Sequence, residues 1–355
     1  MARKNIEDVI LDECICCPHC QGKLILNKEV QNKYLCCSQC NARYEVLDNI
    51  PLFLSSNKVE DSATKLSIQE FWGTLYKTVY SSHDKECKKE EFLELLPKLE
   101  SLFYHRQHLS VVEMPINEIN GKKVLEIGSG AGAHSTFFGW LGAEMFSMDI
   151  TLERVVATAK KIDFLETSKN ICLQADAEQL PFPDEFFDVV FSNGVLHHTP
   201  ETGKAIDEVY RVLKPGGKAV IMLYAKNSFY YWVILFFLKG IVSGNIFKSR
   251  NWLGKVTEWM SREPQKVFNP VTKVFTANEV CRLFSGFNTV KIRKSSFNVQ
   301  QLPKIGSLLS KLLSKKTGLD EAGVLLYGNP WRKETSFELK LGRFIGWALN
   351  IEAIK

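Results

Sequence analysis

Three glycines at alternate positions, set directly after a strand-forming run, constrain this chain more than any other feature. The stretch Val124 to Ser135 reads VLEIGSGAGAHS. Val124 to Ile127 favours an extended strand, and Gly128, Gly130 and Gly132 follow before a segment able to open a helix. Glycine lacks a Cβ and tolerates positive φ, so such a loop lets the backbone approach a ligand closely. Its amides and the following helix start are expected to point at whatever sits there. The G-x-G-x-G spacing differs from the G-x-G-x-x-G of dinucleotide-binding loops.

Strand and helix patterns alternate from Gly121 onward. Strands are expected at 123–127, 144–148, 170–173, 187–192 and 218–223. Helical stripes lie between them, one begun by Thr151 and one entered at Thr199 and Pro200 and ended by the KPGG turn at 214–217. Thr276 and Glu279 form a capping box. Such alternation implies a parallel sheet covered on both faces, with ligands bound at the carboxyl ends of its strands. Two carboxylates complete the constellation. Asp149 ends the second strand, where it can accept from both hydroxyls of a ribose. Asp176 follows the third, where it can accept from an exocyclic adenine amine. The loop carries no Lys or Arg for a pyrophosphate, so the pocket suits an adenosine without phosphate.

Seven of the ten cysteines fall within the first 40 residues. Met1 to Leu11 has no apolar leader-like core, so a reducing, cytoplasmic setting is expected, where clustered thiols read as metal ligands. The C-x-x-C pairs Cys17/Cys20 and Cys37/Cys40 can close a tetrahedral zinc site. Cys14/Cys17 and Cys16/His19 share the spacing, but Gly22 favours the first register by easing the turn after Cys20. The pattern C-P-H-C-x-G-x-L, then C-x-x-C-x-x-x-Y-x-V-x-D-x-I-P, resembles short zinc ribbons related to the activator subunit of tRNA and rRNA methyltransferases. That resemblance implies a ribbon that stabilises or docks. It is expected to fold on its own metal and to leave the cofactor site formed when the metal is lost.

VLEIGSGAG, the acidic end of FSMDI, DAEQLPFPDEFFDVVFSNGVLHH and EVYRVLKPGG resemble class I S-adenosylmethionine-dependent methyltransferases. The likeness is to the broad group that includes quinone-biosynthesis methyltransferases. It implies an α/β, Rossmann-like, doubly wound seven-stranded sheet whose last strand, near 347–353, runs antiparallel. It also implies roles. The backbone of Gly128, Ser129, Gly130 and Gly132 faces the methionine part, and Glu126 orients that loop or the cofactor amine. Asp149 holds the ribose with Ile150 against the adenine. Asp176 and the Ala177 amide read the adenine edge, and Ser192 and Asn193 lie beside the methyl group. SNGV replaces the N-P-P-Y-type tetrapeptide of exocyclic-amine methylases, which favours O- or C-methylation, and LHH replaces the L-R-N usual in the quinone enzymes. His197 and His198 are candidate general bases at the site's mouth.

The chain divides into a ribbon (1–55), a linker and helical bridge (56–118) and a methyltransferase domain (119–355). In the bridge, Pro97 is expected to kink or break a helix, and His83, His105 and His108 read as surface or packing residues. Two segments exceed the minimal fold, 224–270 and 298–344. The second carries a helical stripe of Leu302, Ile305, Leu308, Leu309, Leu312 and Leu313, with Lys304, Lys311, Lys315 and Lys316 off its apolar side. These segments are expected either to pack on the domain, or to form a lid lining an apolar acceptor pocket, or to rest on a membrane surface as basic amphipathic helices do. The leading expectation is methyl transfer to a small-molecule or lipid-like acceptor, by a cytoplasmic protein able to sit peripherally on a membrane. An RNA methyltransferase with a docking ribbon and a non-catalytic cofactor-binding scaffold are the competing readings. The scattered Lys and Arg disfavour the former, and the intact loop and aspartates disfavour the latter.

Overall fold

The computed structural model describes residues 3–29, 33–54, 59–81, 87–167, 169–262, 265–313, 319 and 332–355. Among these, thirteen strands form: β1 (Leu24–Lys28), β2 (Lys33–Cys37), β3 (Arg43–Leu47), β4 (Ile50–Leu52), β5 (Lys123–Ile127), β6 (Glu144–Asp149), β7 (Ile171–Gln174), β8 (Phe187–Asn193), β9 (Leu213–Tyr224), β10 (Trp259–Arg262), β11 (Gln265–Phe268), β12 (Thr289–Ser295) and β13 (Ala348–Ile354). Eleven share one sheet, in the order β1-β2-β3-β4-β7-β6-β5-β8-β9-β13-β12. From β4 to β9 the neighbours are parallel, and β13 runs antiparallel between β9 and β12. The seven strands from β7 to β12 form the doubly wound sheet, with its antiparallel last strand.

Val124 to Ile127 of β5 is buried throughout, as a central parallel strand covered on both faces requires. One face packs on the helices Lys89–Arg106, Ala133–Trp140 and Leu152–Asp163, through Phe92, Leu99, Phe103, Phe137, Phe138 and Ile162. The other packs on Thr202–Val212 and Ala277–Leu283, through Ile206, Val209 and Val280. The Thr276–Glu279 capping box opens the latter helix, with the Glu279 side chain accepting the Thr276 N–H at 2.7 Å.

Three expectations are corrected. Of the kink or break expected at Pro97, the break is absent: the Lys89–Arg106 helix continues through it. Phe92, Leu96, Leu99, Leu102 and Phe103 are buried on its inner face, and each such burial is worth about 1.5–3 kcal/mol, which together outweighs the ~3 kcal/mol proline penalty. The helix expected to stop at KPGG ends at Val212, and β9 already begins at Leu213 and carries Pro215, Gly216 and Gly217 within it. The ribbon, finally, is not a separately packed module. Ile6, Val9, Leu24, Leu35 and Tyr44 belong to the same core as Phe146, Met148 and Leu173. β4 pairs with β7, and the Phe53 N–H donates to the Gln174 carbonyl at 2.8 Å.

Candidate active site

A cavity of about 250 Å³ opens at the carboxyl ends of β5, β6, β7 and β8. Its walls include Gly128, Ser129, Gly130, Asp149, Ile150, Asp176, Ala177 and Asn193, all expected at the site. Glu126, Gly132 and Ser192 are not on the wall and sit just behind it.

The glycine loop works differently from the expectation that its amides point outward. The Gly128 and Ser129 N–H groups donate to the Met148 carbonyl at 2.8 and 2.9 Å, and Gly132 N–H donates to Ser129 O. Gly130 N–H donates to Asp149 Oδ2 at 3.1 Å. Glycine is required at position 128 because φ is +79° and a Cβ would lie 2.2 Å from Val195 Cγ2. Four of the loop's N–H groups are thus spent on the protein, which leaves few donors for a phosphate. Asp149, nearly fully buried, also accepts from Thr151 N–H at 2.9 Å, so one lone pair of each oxygen is taken and others remain.

The roof was not legible in the sequence. The Val59–Leu75 helix lays Lys65, Ile68, Trp72 and Leu75 over the cavity, followed by Tyr76 from a short π-helix, Tyr76–Tyr80. Lys65 Nζ bridges Asp176 Oδ2 (2.6 Å) and Glu178 Oε2 (2.8 Å). Burial would lower the Lys65 pKa, but these carboxylates outweigh it and the net shift is upward. Gln69 donates to the Ile150 carbonyl at 2.9 Å, and the Arg154 guanidinium lies 4.9 Å from the Trp72 ring. The helical spacing of Phe71, Trp72 and Leu75 was visible in the sequence, but nothing local says which part of the sheet such a helix covers. The two segments expected to form the lid, 224–270 and 298–344, contribute no described residue to this cavity. Lys315 and Lys316, counted in that expectation, lie outside the described residues, as does His83.

The histidines separate. His198 is on the cavity wall, with Nδ1 2.9 Å from Val271 O and from Asn269 Nδ2, and Nε2 3.2 Å from Glu258 Oε1. Both nitrogens therefore face residues 258–271, and the ring braces that stretch against the cavity rim. Burial alone would raise the Glu258 carboxyl; His198, Tyr224 and Asn269 together hold it below the usual range. His197 is not on the wall. It is fully buried against Tyr224, with ring centroids 3.7 Å apart, out of reach of a ligand in the cavity, and burial drives its pKa well down. His134, missed in the sequence, is on the wall and stacks on Phe103 at 5.4 Å; burial lowers its pKa to about 3. Beneath it Glu126 accepts a short hydrogen bond from Ser135 Oγ. Burial pushes the Glu126 carboxyl up to about 8 against that hydrogen bond, and Asp149 adds to the rise. Ser192 Oγ donates to Ile127 O at 3.0 Å and serves the strand.

At the far edge of the sheet, the sulfurs of Cys17, Cys20, Cys37 and Cys40 all lie within 4.8 Å of one another. Cys17–Cys40 is 3.6 Å and Cys20–Cys37 3.4 Å. A tetrahedral zinc with bonds of about 2.3 Å sets sulfurs about 3.8 Å apart, so the four fit that ion. Cys14 and Cys16 stay outside the cluster, and burial pushes the Cys16 thiol up to about 12.

Residues 125–221 match the family described as methyltransferase domain. The ubiquinone/menaquinone biosynthesis C-methyltransferase UbiE of Pectobacterium carotovorum is 33% identical over 109 residues, 30% of this chain and 43% of that protein. The chain thus spans less than half the length of the curated relatives it matches. Among solved structures, a Haloferax volcanii complex containing the Trm112 methyltransferase activator matches with TM-score 0.47 and 16% identity, over 81% of this chain and 97% of that one. A SAM-dependent methyltransferase from Aquifex aeolicus matches with TM-score 0.39 and 14% identity, over 73% and 97%.

Proposed function

We propose that this chain, which carries a class I S-adenosylmethionine-dependent methyltransferase domain, transfers a methyl group to an apolar small-molecule or lipid-like acceptor. One observation carries the reading. The cavity pairs an inward-satisfied glycine loop with two carboxylates at the ends of adjacent strands, which suits an adenosine that bears no phosphate. When bound, S-adenosylmethionine supplies an electrophilic methyl carbon on a sulfonium, open to in-line displacement. Asp149 accepts from the ribose hydroxyls through its unused lone pairs, and Ile150 packs on the adenine. Asp176 and the Ala177 amide take the adenine edge. Trp72 and the rest of the roof helix exclude water, which strengthens every polar contact beneath them. Asn193 stands at the open end beside the reacting carbon. With His197 off the wall and both His198 nitrogens turned away, catalysis rests on positioning. The C-methyltransferase relatives support a small-molecule acceptor. Cys17, Cys20, Cys37 and Cys40 hold a structural zinc.

Calorimetry with S-adenosylhomocysteine should show micromolar binding and none for nicotinamide dinucleotides. A tritiated-methyl assay should place label in a lipid or small-molecule extract. Label confined to RNA would overturn the acceptor class, and absence of cofactor binding would overturn the activity.

A further inference from the structure

Residues 230–242 read YYWVILFFLKGIV and form a π-helix, Tyr230–Val242. In a helix closed by i→i+5 hydrogen bonds, residues four and five apart share a face. Tyr231 and Leu235 are buried with Val256 against Trp252 and Leu253, and Gly240 is buried beside Ile246. Trp232, Phe237 and Val242 form the opposite stripe, exposed by 47%, 53% and 66%. Phe247, in the next turn, is 81% exposed. The Gly306–Leu313 helix shows the same inversion. Its small residues Gly306 and Ser310 are buried, while Leu308 and Leu312 are 60% and 72% exposed. Leu308 and Leu312 of the apolar stripe therefore point outward. Helix starts at Tyr230 and just beyond Gln300 and Gln301 flank one common surface depression, lined also by Tyr224 and Trp347.

The charge pattern selects the partner. Residues 224–257 contain five Lys or Arg and no Asp or Glu, and 298–313 contain Lys304 and Lys311 with no acid. Lys248, Arg250, Lys304 and Lys311 are exposed. A second copy of this face would set like charges opposite one another, which disfavours self-association. An apolar surface whose described rim carries Lys248, Arg250, Lys304 and Lys311 complements an anionic headgroup layer over a hydrocarbon interior. Among the described residues no helix is long and apolar enough to cross a membrane, so the contact lies in the interface plane.

We propose that the Tyr230–Val242 and Gly306–Leu313 helices seat this protein on an anionic bilayer surface, inserting Trp232, Phe237, Leu308 and Leu312. The inference extends the apolar-acceptor reading: the same segment braces His198 through Glu258 and Asn269, so docking sets the cavity rim close to the lipid. Its test needs no turnover, and so stands or falls apart from the methyl-transfer reading. The full chain is cosedimented with vesicles of phosphatidylcholine alone and with vesicles containing phosphatidylglycerol. Binding to the anionic vesicles that weakens with salt is expected. The double variant Phe237→Asp/Leu312→Asp should lose about tenfold or more of that affinity, with unchanged Tm and unchanged S-adenosylhomocysteine binding. The charge reversal Lys248→Glu/Lys311→Glu, which leaves the apolar stripe intact, should also weaken it. A wild-type chain that stays in solution with anionic vesicles would overturn the proposal. So would binding unaffected by both variants, or a concentration-dependent dimer abolished by the first variant without any vesicle binding.

Discussion

Asp149→Asn separates two duties assigned to one side chain. The carboxylate is 5% exposed and takes Gly130 N–H on one oxygen and Thr151 N–H on the other, at 3.1 and 2.9 Å. Asparagine keeps the size but offers a single oxygen, so one of the two backbone donors must face an NH2 group. One charge-assisted hydrogen bond is lost and a buried donor is left without an acceptor, a change worth about 2–3 kcal/mol to the ligand-free protein. For a chain of this length that is a fall of a few degrees in Tm. If the remaining lone pairs also accept from the ribose, cofactor affinity drops by a further ~1.5–3 kcal/mol, roughly ten- to a hundredfold. Scanning calorimetry of the ligand-free variant reads the first duty, and titration with S-adenosylhomocysteine reads the second. An unchanged Tm would refute the argument that Asp149 clasps the glycine loop. A lowered Tm with unchanged affinity would refute the ribose contact and leave the clasp.

Three further outcomes are expected. Removing zinc with a chelator, or by Cys37→Ser, should lower both Tm and cofactor affinity, because Phe53 bonds Gln174 and the Gln174 side chain bonds the Ile150 carbonyl at 3.0 Å; full cofactor affinity in metal-free protein would contradict this, and metal analysis should give one zinc per chain. Glu126, raised to about 8 in the fold against an ordinary 4.5, is protonated in the native chain where the unfolded chain is ionised, so its contribution to stability falls as pH rises from 4.5 to about 8. Glu126→Gln should flatten that decline; His134, lowered to about 3, acts in the opposite sense only below 6.5, so denaturation curves at pH 6.5 and 8 isolate Glu126, and an equal decline in both proteins would be the refuting result. Trp72→Ala should open the roof and weaken S-adenosylhomocysteine binding about tenfold, chiefly through faster release in stopped-flow measurements.

The parts of this molecule governed by local pattern were legible in the sequence. The glycines at 128, 130 and 132, the acids at 149 and 176 and the pairing of Cys17/Cys20 with Cys37/Cys40 all depend on short spacing, and the structure brings Gly128, Gly130 and both acids to one cavity and the four thiols to one cluster. What escaped depends on docking between distant segments. Lys65 reads as one more lysine until Asp176 and Glu178 are seen beside it. His197 and His198 are neighbours in sequence, yet one turns under Tyr224 and the other reaches the rim. Helical periodicity found the Leu308–Leu312 stripe but left open whether it packs on the domain or faces outward, because a periodic pattern gives a stripe's existence and not its direction. Pro97 misled for a related reason: a local penalty was weighed without the burial that overcomes it.

The pairing of β4 with β7 has a consequence beyond packing. A parallel strand at the margin of a doubly wound sheet offers a row of open backbone donors and acceptors to any extended chain that drifts by. Here the amino-terminal fifty residues occupy that row, through the Leu52–Gln174 register and the Phe53 hydrogen bond, and tie it further by Lys4 N–H to Asn170 O at 2.9 Å. The chain supplies its own companion for β7, tethered and therefore always at high local concentration. A separate polypeptide seeking the same place would have to displace it, so any helper protein this molecule uses must approach from elsewhere.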